Sequence, residues 1–287
     1  MSTRRRIQLA VLTLAAFGLC WAVAWYVVRD RVHQSDEYLL TADRVDLTPL
    51  PPWIHSDIKT EVLGSASLDG PLSILDPQLT QRLHDAFPLH PWVEQVIKVS
   101  KQYPARVKVE LVYRRPVCMV EVPGGLFAVD AASVLLPSGD FSPNEASRYP
   151  RLAGVTTIPL GQVGTPWGDP RVAGGSQLAA LLLEGWNQLR LARIVPSPHP
   201  LDEAGEVFSY ELQTLQGTTI IWGRPPGVSP NGEPTPDAKL AQLKQLAVQH
   251  GSLDSAGPVD LRSPGTWRSA VRTATKPEEP KVNPEGK

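Results

Sequence analysis

The chain has 287 residues, with 28 Lys and Arg against 29 Asp and Glu, for a formal net charge of −1. That length allows one or two domains with a sizeable core, and the charge balance excludes an overall field that would gather nucleic acid or anionic lipid. With 29 Pro and 22 Gly the loops are many, and the only cysteines, Cys20 and Cys118, are too differently placed to predict an internal disulfide.

Ile7 to Val28 carries no charged residue. At about 1.5 Å per helical residue it covers a hydrocarbon core of roughly 30 Å, so a transmembrane helix is predicted over residues 7–28. Arg4, Arg5 and Arg6 precede it, whereas Arg29 and Arg31 are offset by Asp30, Asp36 and Glu37. The positive-inside rule then leaves residues 1–6 as a cytoplasmic tail. Trp21, Trp25 and Tyr26 gather at the far end like an interfacial aromatic belt. Ala22-Val23-Ala24 is also an A-x-A-like cleavage site, the mark of a removed signal peptide. Apolar residues continue past it to Val28, which favours an uncleaved anchor. Both readings put the remaining chain on the non-cytoplasmic side.

Tyr38 to Leu47 reads as a first strand, broken by Thr48-Pro49-Leu50-Pro51-Pro52. Ser56 is expected to cap a short helix ending at Gly64. Asp76-Pro77 is expected to start a second helix with Leu79, Leu83 and Phe87 as its apolar stripe. A hairpin follows. Val107, Val109, Leu111 and Tyr113 alternate with Arg106, Lys108 and Glu110. Val93, Ile97, Val99 and Tyr103 are expected to share the facing side of its first arm, with the turn at Gln102 to Ala105. The order is strand, helix, helix, strand, strand.

After Pro116 short strands and turns prevail. Cys118, Val120 and Val122 alternate, Gly124-Gly125 turns, and Leu126 to Val129 pairs back. Leu152 to Ile158 is a further strand. Ser176 to Leu191 reads as an amphipathic helix capped by Ser176. Val207 to Leu215 and Thr218 to Trp222 form a second hairpin. Leu240, Leu243 and Leu246 mark a helix after the Pro225 to Pro236 loop, Val259 to Leu261 a last short strand, and residues 273–287 a disordered tail.

No catalytic signature is present: no H-E-x-x-H, no G-x-S-x-G, no P-loop. The six histidines are scattered and read as surface residues. Gly161, Gly164 and Gly168 lack the strand-to-helix context of a phosphate loop. Asp202, Glu203 and Glu206 lack calcium-ligand spacing. Lys98, Lys101, Arg106 and Lys108 line one hairpin face, which fits solvent or an anionic membrane surface better than nucleic acid outside the cytoplasm. The expectation is a non-enzymatic binding module with no metal, cofactor, nucleic acid or small-molecule substrate. Its sheet edges offer unpaired backbone groups to a partner strand.

Four local patterns resemble the FtsQ/DivIB family of bacterial cell-division proteins. Pro91-Trp92-Val93, Pro104 and Arg114-Arg115-Pro116 are similar to the closing hairpin of that family's POTRA domain. Leu126 to Asp130 with Pro150-Arg151-Leu152-Ala153-Gly154, then Ile220 to Arg224 with Lys239-Leu240, then Val259-Asp260-Leu261-Arg262 follow in the family's order. The resemblance implies an α+β fold: the transmembrane helix, a POTRA domain (β-α-α-β-β) over residues 36–116, and a strand-rich β domain with flanking helices over residues 117–272.

It also implies a function. Family members are single-pass inner-membrane scaffolds of the division septum that bind FtsB- and FtsL-like proteins and help control septal peptidoglycan synthesis. Carried over, the partner-binding residues are Trp222, Arg224, Val259, Asp260, Leu261, Arg262 and Gly265, with Trp267 as a further aromatic anchor. A proline at Leu261 is expected to cap that edge and abolish capture. Ser263 and Pro264 depart from the family pattern, and Pro264 cannot donate to a ladder. A transport class is the alternative, a POTRA-bearing protein handling polypeptides or envelope assembly. It predicts several POTRA units or a barrel, and the chain shows one unit and no barrel pattern. A periplasmic enzyme would need a convergent cluster of titratable groups.

Overall fold

The computed structural model describes residues 13–26, 37–70, 72–228 and 232–263. It is an α+β chain that divides into two compact units. Residues 13–26 form a helix, α1, with Leu14, Phe17, Trp21 and Trp25 all exposed. The ends of the expected 7–28 span lie outside the described residues. Among the described residues, no helix is long and apolar enough to cross a membrane.

The first unit runs to Arg115 and also takes in residues 135–142 and 162–165. The expected first strand is split. β1 (Leu39–Leu40) pairs antiparallel with β3 (Leu72–Ser73), while β2 (Val45–Leu47) runs parallel to β5 (Arg106–Tyr113). A short 3-10 turn, Ala42–Arg44, separates the two pieces. β5 also pairs antiparallel with β4 (Val93–Gln102), giving the order β2-β5-β4.

Two short helices belong to this unit. α2 (Ile58–Ser65) is capped by Asp57, whose carboxylate accepts the Thr60 N–H; the expected cap at Ser56 is thus one residue early. α3 (Leu79–Ala86) starts later than Asp76-Pro77 predicts. Asp76 instead closes a local turn by accepting the Gln78 N–H at 2.9 Å. The stripe of Leu79, Leu83 and Phe87 is fully buried.

The hairpin corrects one expectation. Val107, Val109 and Leu111 are buried, as the β5 alternation requires, but in β4 it is Val96 that is buried and Ile97 that is 56% exposed. The pairing shifts register between Val93 and Gln95 and again between Val96 and Lys98. Each shift inserts one unpaired residue and reverses the inward phase. The loop at 135–142 contributes to this unit: the fully buried Trp92 donates its indole N–H to Asp140 Oδ2 at 2.6 Å, and Phe141 packs 6.0 Å from its ring. His90, expected on the surface, is buried. Its Nδ1 accepts the Trp92 N–H, which leaves Nε2 to face Glu61 at 3.1 Å.

The second unit begins at Pro116. Its described strands form one mixed seven-stranded sheet in the order β12-β11-β10-β9-β8-β6-β7. β6 (Pro116–Val122) and β7 (Gly125–Asp130) make the expected hairpin. α4 (Pro143–Ala146) leads to β8, which is only Arg151–Leu152, far shorter than expected. α5 (Pro170–Leu182) opens at an Asp169-Pro170 cap, six residues before the expected start. Ser176 therefore lies inside the helix, where its hydroxyl donates to Ala173 O. Side chains at Gly174 and Gly175 would collide with Tyr210 and Leu152, so these two glycines let α5 lie close to the sheet.

β9 (Leu191–Pro200) was not expected, because Pro196, Pro198 and Pro200 interrupt it. Its β8 side is paired only at Ile194, so the prolines fall where no donor is required of them on that side. β10 (Phe208–Thr214) and β11 (Thr219–Gly223) form the second hairpin. α6 (Pro236–His250), capped by Thr235, and α7 (Leu253–Ala256) follow. β12 (Val259–Asp260) then runs parallel to β11.

Candidate docking edge

Among the described strands, β12 is the outermost on its side of the large sheet. Its pairing with β11 matches Ile220 with Val259 and Ile221 with Asp260, and the Leu261 N–H donates to Ile221 O at 2.9 Å. Backbone groups alternate direction along a strand, so those of Val259 and Leu261 face β11. The N–H and C=O of Asp260 point the other way. Val259 and Leu261 are buried apolar plugs that hold the strand down.

The next outward donor, the Arg262 N–H, is already taken: Asp260 Oδ1 accepts it at 2.9 Å. The same carboxylate receives Arg262 Nε at 3.0 Å and Nη2 at 2.7 Å, a two-pronged charged pair. The edge thus exposes little more than one peptide unit, and a charged staple blunts the rest. Hydrogen bonds from Arg262 hold the Asp260 carboxyl below its ordinary value of 3.8, and partial burial opposes them. A carboxyl depressed in the folded chain contributes stability above the unfolded value and loses it as pH falls through the folded one. The staple is therefore expected to be complete at neutral pH and to open only below pH 3.8. A carbonyl-detected NMR titration should show an Asp260 midpoint below that value in the native chain and nearer to it in Arg262→Gln. Identical midpoints would remove Arg262 as the cause.

Behind the edge lies a polar cluster. Trp222 is fully buried, and its indole N–H donates to Arg224 O at 3.1 Å. It therefore presents no face to a partner, unlike the contact role the resemblance implies. Arg224 is mostly buried, its Nε 4.0 Å from Glu233 Oε1. Glu233 Oε2 accepts the Arg224 N–H at 3.1 Å and the Lys239 ammonium at 2.5 Å. Lys239 also donates to Trp222 O at 2.7 Å, and is itself 2% exposed. Of the other expected residues, Asp260 and Arg262 are accessible, Val259 and Leu261 turn their backbone to β11 and bury their side chains, and Gly265 and Trp267 lie outside the described residues. Glu233 is the residue that sequence reasoning missed. A lysine one turn before Leu243 on a buried stripe was the available signal, since a buried ammonium needs an acid.

Two grooves mark the second unit. One of about 550 Å³ is lined by Leu189, Arg190, Lys244, Val248 and Leu253. The other, about 360 Å³, is walled by Leu160, Trp167, Pro200 and Phe208, with Asp169 and Arg171 paired to each other at 2.8 Å. Neither gathers an acid, a base and a nucleophile. Among the described residues no three His, Cys, Asp or Glu side chains are grouped to hold a metal. Asp202, in the acidic cluster with Glu203 and Glu206, accepts the Val207 N–H at 2.9 Å and closes its own loop. The Cys118 thiol is buried, and burial pushes its pKa far up, away from nucleophilic use. No family model and no curated protein matches the chain.

Proposed function

We propose that this chain is a membrane-anchored scaffold of the FtsQ/DivIB type, which captures FtsB- and FtsL-like partners at the division septum by strand addition. The observation that carries this reading is the edge position of the Val259 to Arg262 segment. Its outward Asp260 peptide unit is a ready acceptor for a partner strand. The strand, helix, helix, hairpin order of the first unit, placed before a strand-rich second unit, supports the same reading. So does the uncharged, predominantly apolar and exposed surface of α1, which suits an anchor in the inner membrane with the bulk of the chain in the periplasm. In this role the protein performs no chemistry. It organises the enzymes of septal peptidoglycan synthesis through their membrane partners.

A fluorescent fusion at native expression tests the cellular part. The expected result is a band at midcell that forms during constriction and disperses afterwards. An even envelope signal throughout division would contradict it.

A further inference from the structure

We infer that Lys239 and Glu233 form an internal clamp that fixes the docking edge from behind, making them positioning residues for capture although neither touches the partner. The inference rests on the docking role of β12 for its functional consequence, but its geometry stands alone. A single ammonium and a single carboxylate grip both sides of the Gly223 residue. Lys239 Nζ holds the Trp222 carbonyl on one side, and Glu233 Oε2 holds the Arg224 N–H on the other. The two charges meet at 2.5 Å, and the ammonium lies 5.4 Å from the centre of the Trp222 ring. Little of either side chain reaches solvent, at 2% and 14% exposure. Burying two charges is costly unless they find further partners, and here the Trp222 carbonyl takes one ammonium proton and the Arg224 N–H meets the carboxylate.

Gly223 connects the clamp to the edge. Its φ of +90° is open to glycine and strained for other residues. A Cβ there would sit 2.7 Å from the Arg262 side-chain stem and nearer still to Glu233 Oε2. The clamp carboxylate and the arm of the edge strand therefore press on the same Cα. This is where β11 leaves the sheet, one residue beyond the Trp222 carbonyl and two beyond Ile221, whose carbonyl receives Leu261. The path of β11 at Gly223 sets where that carbonyl points, and so sets the register of β12.

The test compares Lys239→Met, Glu233→Gln and the double variant in the full-length chain in detergent, reading amide hydrogen exchange residue by residue. Each single variant is expected to raise exchange at Leu261 and Arg224 by about tenfold or more, with the β6 and β7 amides within about twofold of the native chain. The double variant removes both charges together, so it is expected to regain thermal stability lost in the singles while leaving Leu261 fast. Unchanged exchange at Leu261 and Arg224, or an equal rise across β6, β7 and β12, would overturn the clamp. Capture of a co-expressed FtsB-like protein is read in parallel. A loosened edge with native capture would leave the clamp standing and contradict the docking role. A loosened edge with capture lowered about tenfold supports both.

Discussion

Asp260→Pro is expected to capture a partner at β12 far more weakly than Asp260→Ala, which is expected to preserve or tighten capture. The contrast follows from which way the backbone faces. The Asp260 N–H points away from β11, so a proline there deletes an outward donor and costs the sheet no internal bond. Against Asp260→Ala, which lacks the same carboxylate, a partner strand then loses one hydrogen bond, worth about 1 kcal/mol net, and leaves its own carbonyl unsatisfied, worth about 1–3 kcal/mol more. Together these weaken binding by about 30- to 1,000-fold. Both substitutions free the Arg262 N–H, which the Asp260 carboxylate occupies in the native chain, but only alanine keeps the outward N–H at position 260. The edge then offers two donors instead of one. The proline at Leu261 expected from the sequence is the wrong probe, because that N–H faces inward and bonds Ile221 O. It would detach the strand rather than cap it. Co-purification of a tagged chain with an FtsB-like protein, alongside thermal melting, checks the pair of variants. Equal capture by the two variants in chains that melt normally would contradict strand addition here.

Trp222→Ala is expected to destabilise the second unit by about 3–5 kcal/mol, the range for truncating a buried tryptophan. The side chain is fully buried, it satisfies Arg224 O, and its ring faces the Lys239 ammonium. Removing it opens a cavity and strips a buried cation of its aromatic neighbour. For a unit of this size the melting temperature should fall by roughly 10 °C or more. Trp222→Phe keeps most of the volume and should cost about 1–2 kcal/mol. Capture should follow the folded fraction of each variant and remain normal well below its melting point. A Trp222→Ala chain that melts like the native protein yet captures nothing would show the indole to be a contact after all.

The residues that made parts of this structure readable are local ones. Val107, Val109 and Leu111 alternate without interruption, and β5 is where they place it. β4 resisted the same reading because bulged pairing changes phase twice within it, and a bulge has no fixed composition. β9 was hidden by prolines that are harmless only because its neighbour β8 is two residues long. That is a property of the partner strand, invisible in β9 itself. The start of α5 was legible in Asp169-Pro170, the same kind of signal that at Asp76-Pro77 yields a turn and then a later helix. The segment Val259 to Arg262 could be singled out from its residues, but its place at the end of a sheet depends on long-range pairing with Ile220 and Ile221. Lys239 stands out beside Leu240 and one turn before Leu243, but which acid meets it depends on the fold.

The most direct test of the docking edge is the amide exchange of Asp260 with and without an FtsB-like partner bound to the full-length chain. Strand addition predicts that binding slows this outward amide by about tenfold or more, while the inward Leu261 amide, already bonded, changes little. An Asp260 amide that exchanges at the same rate in the complex, with new protection elsewhere on the chain, would contradict the account.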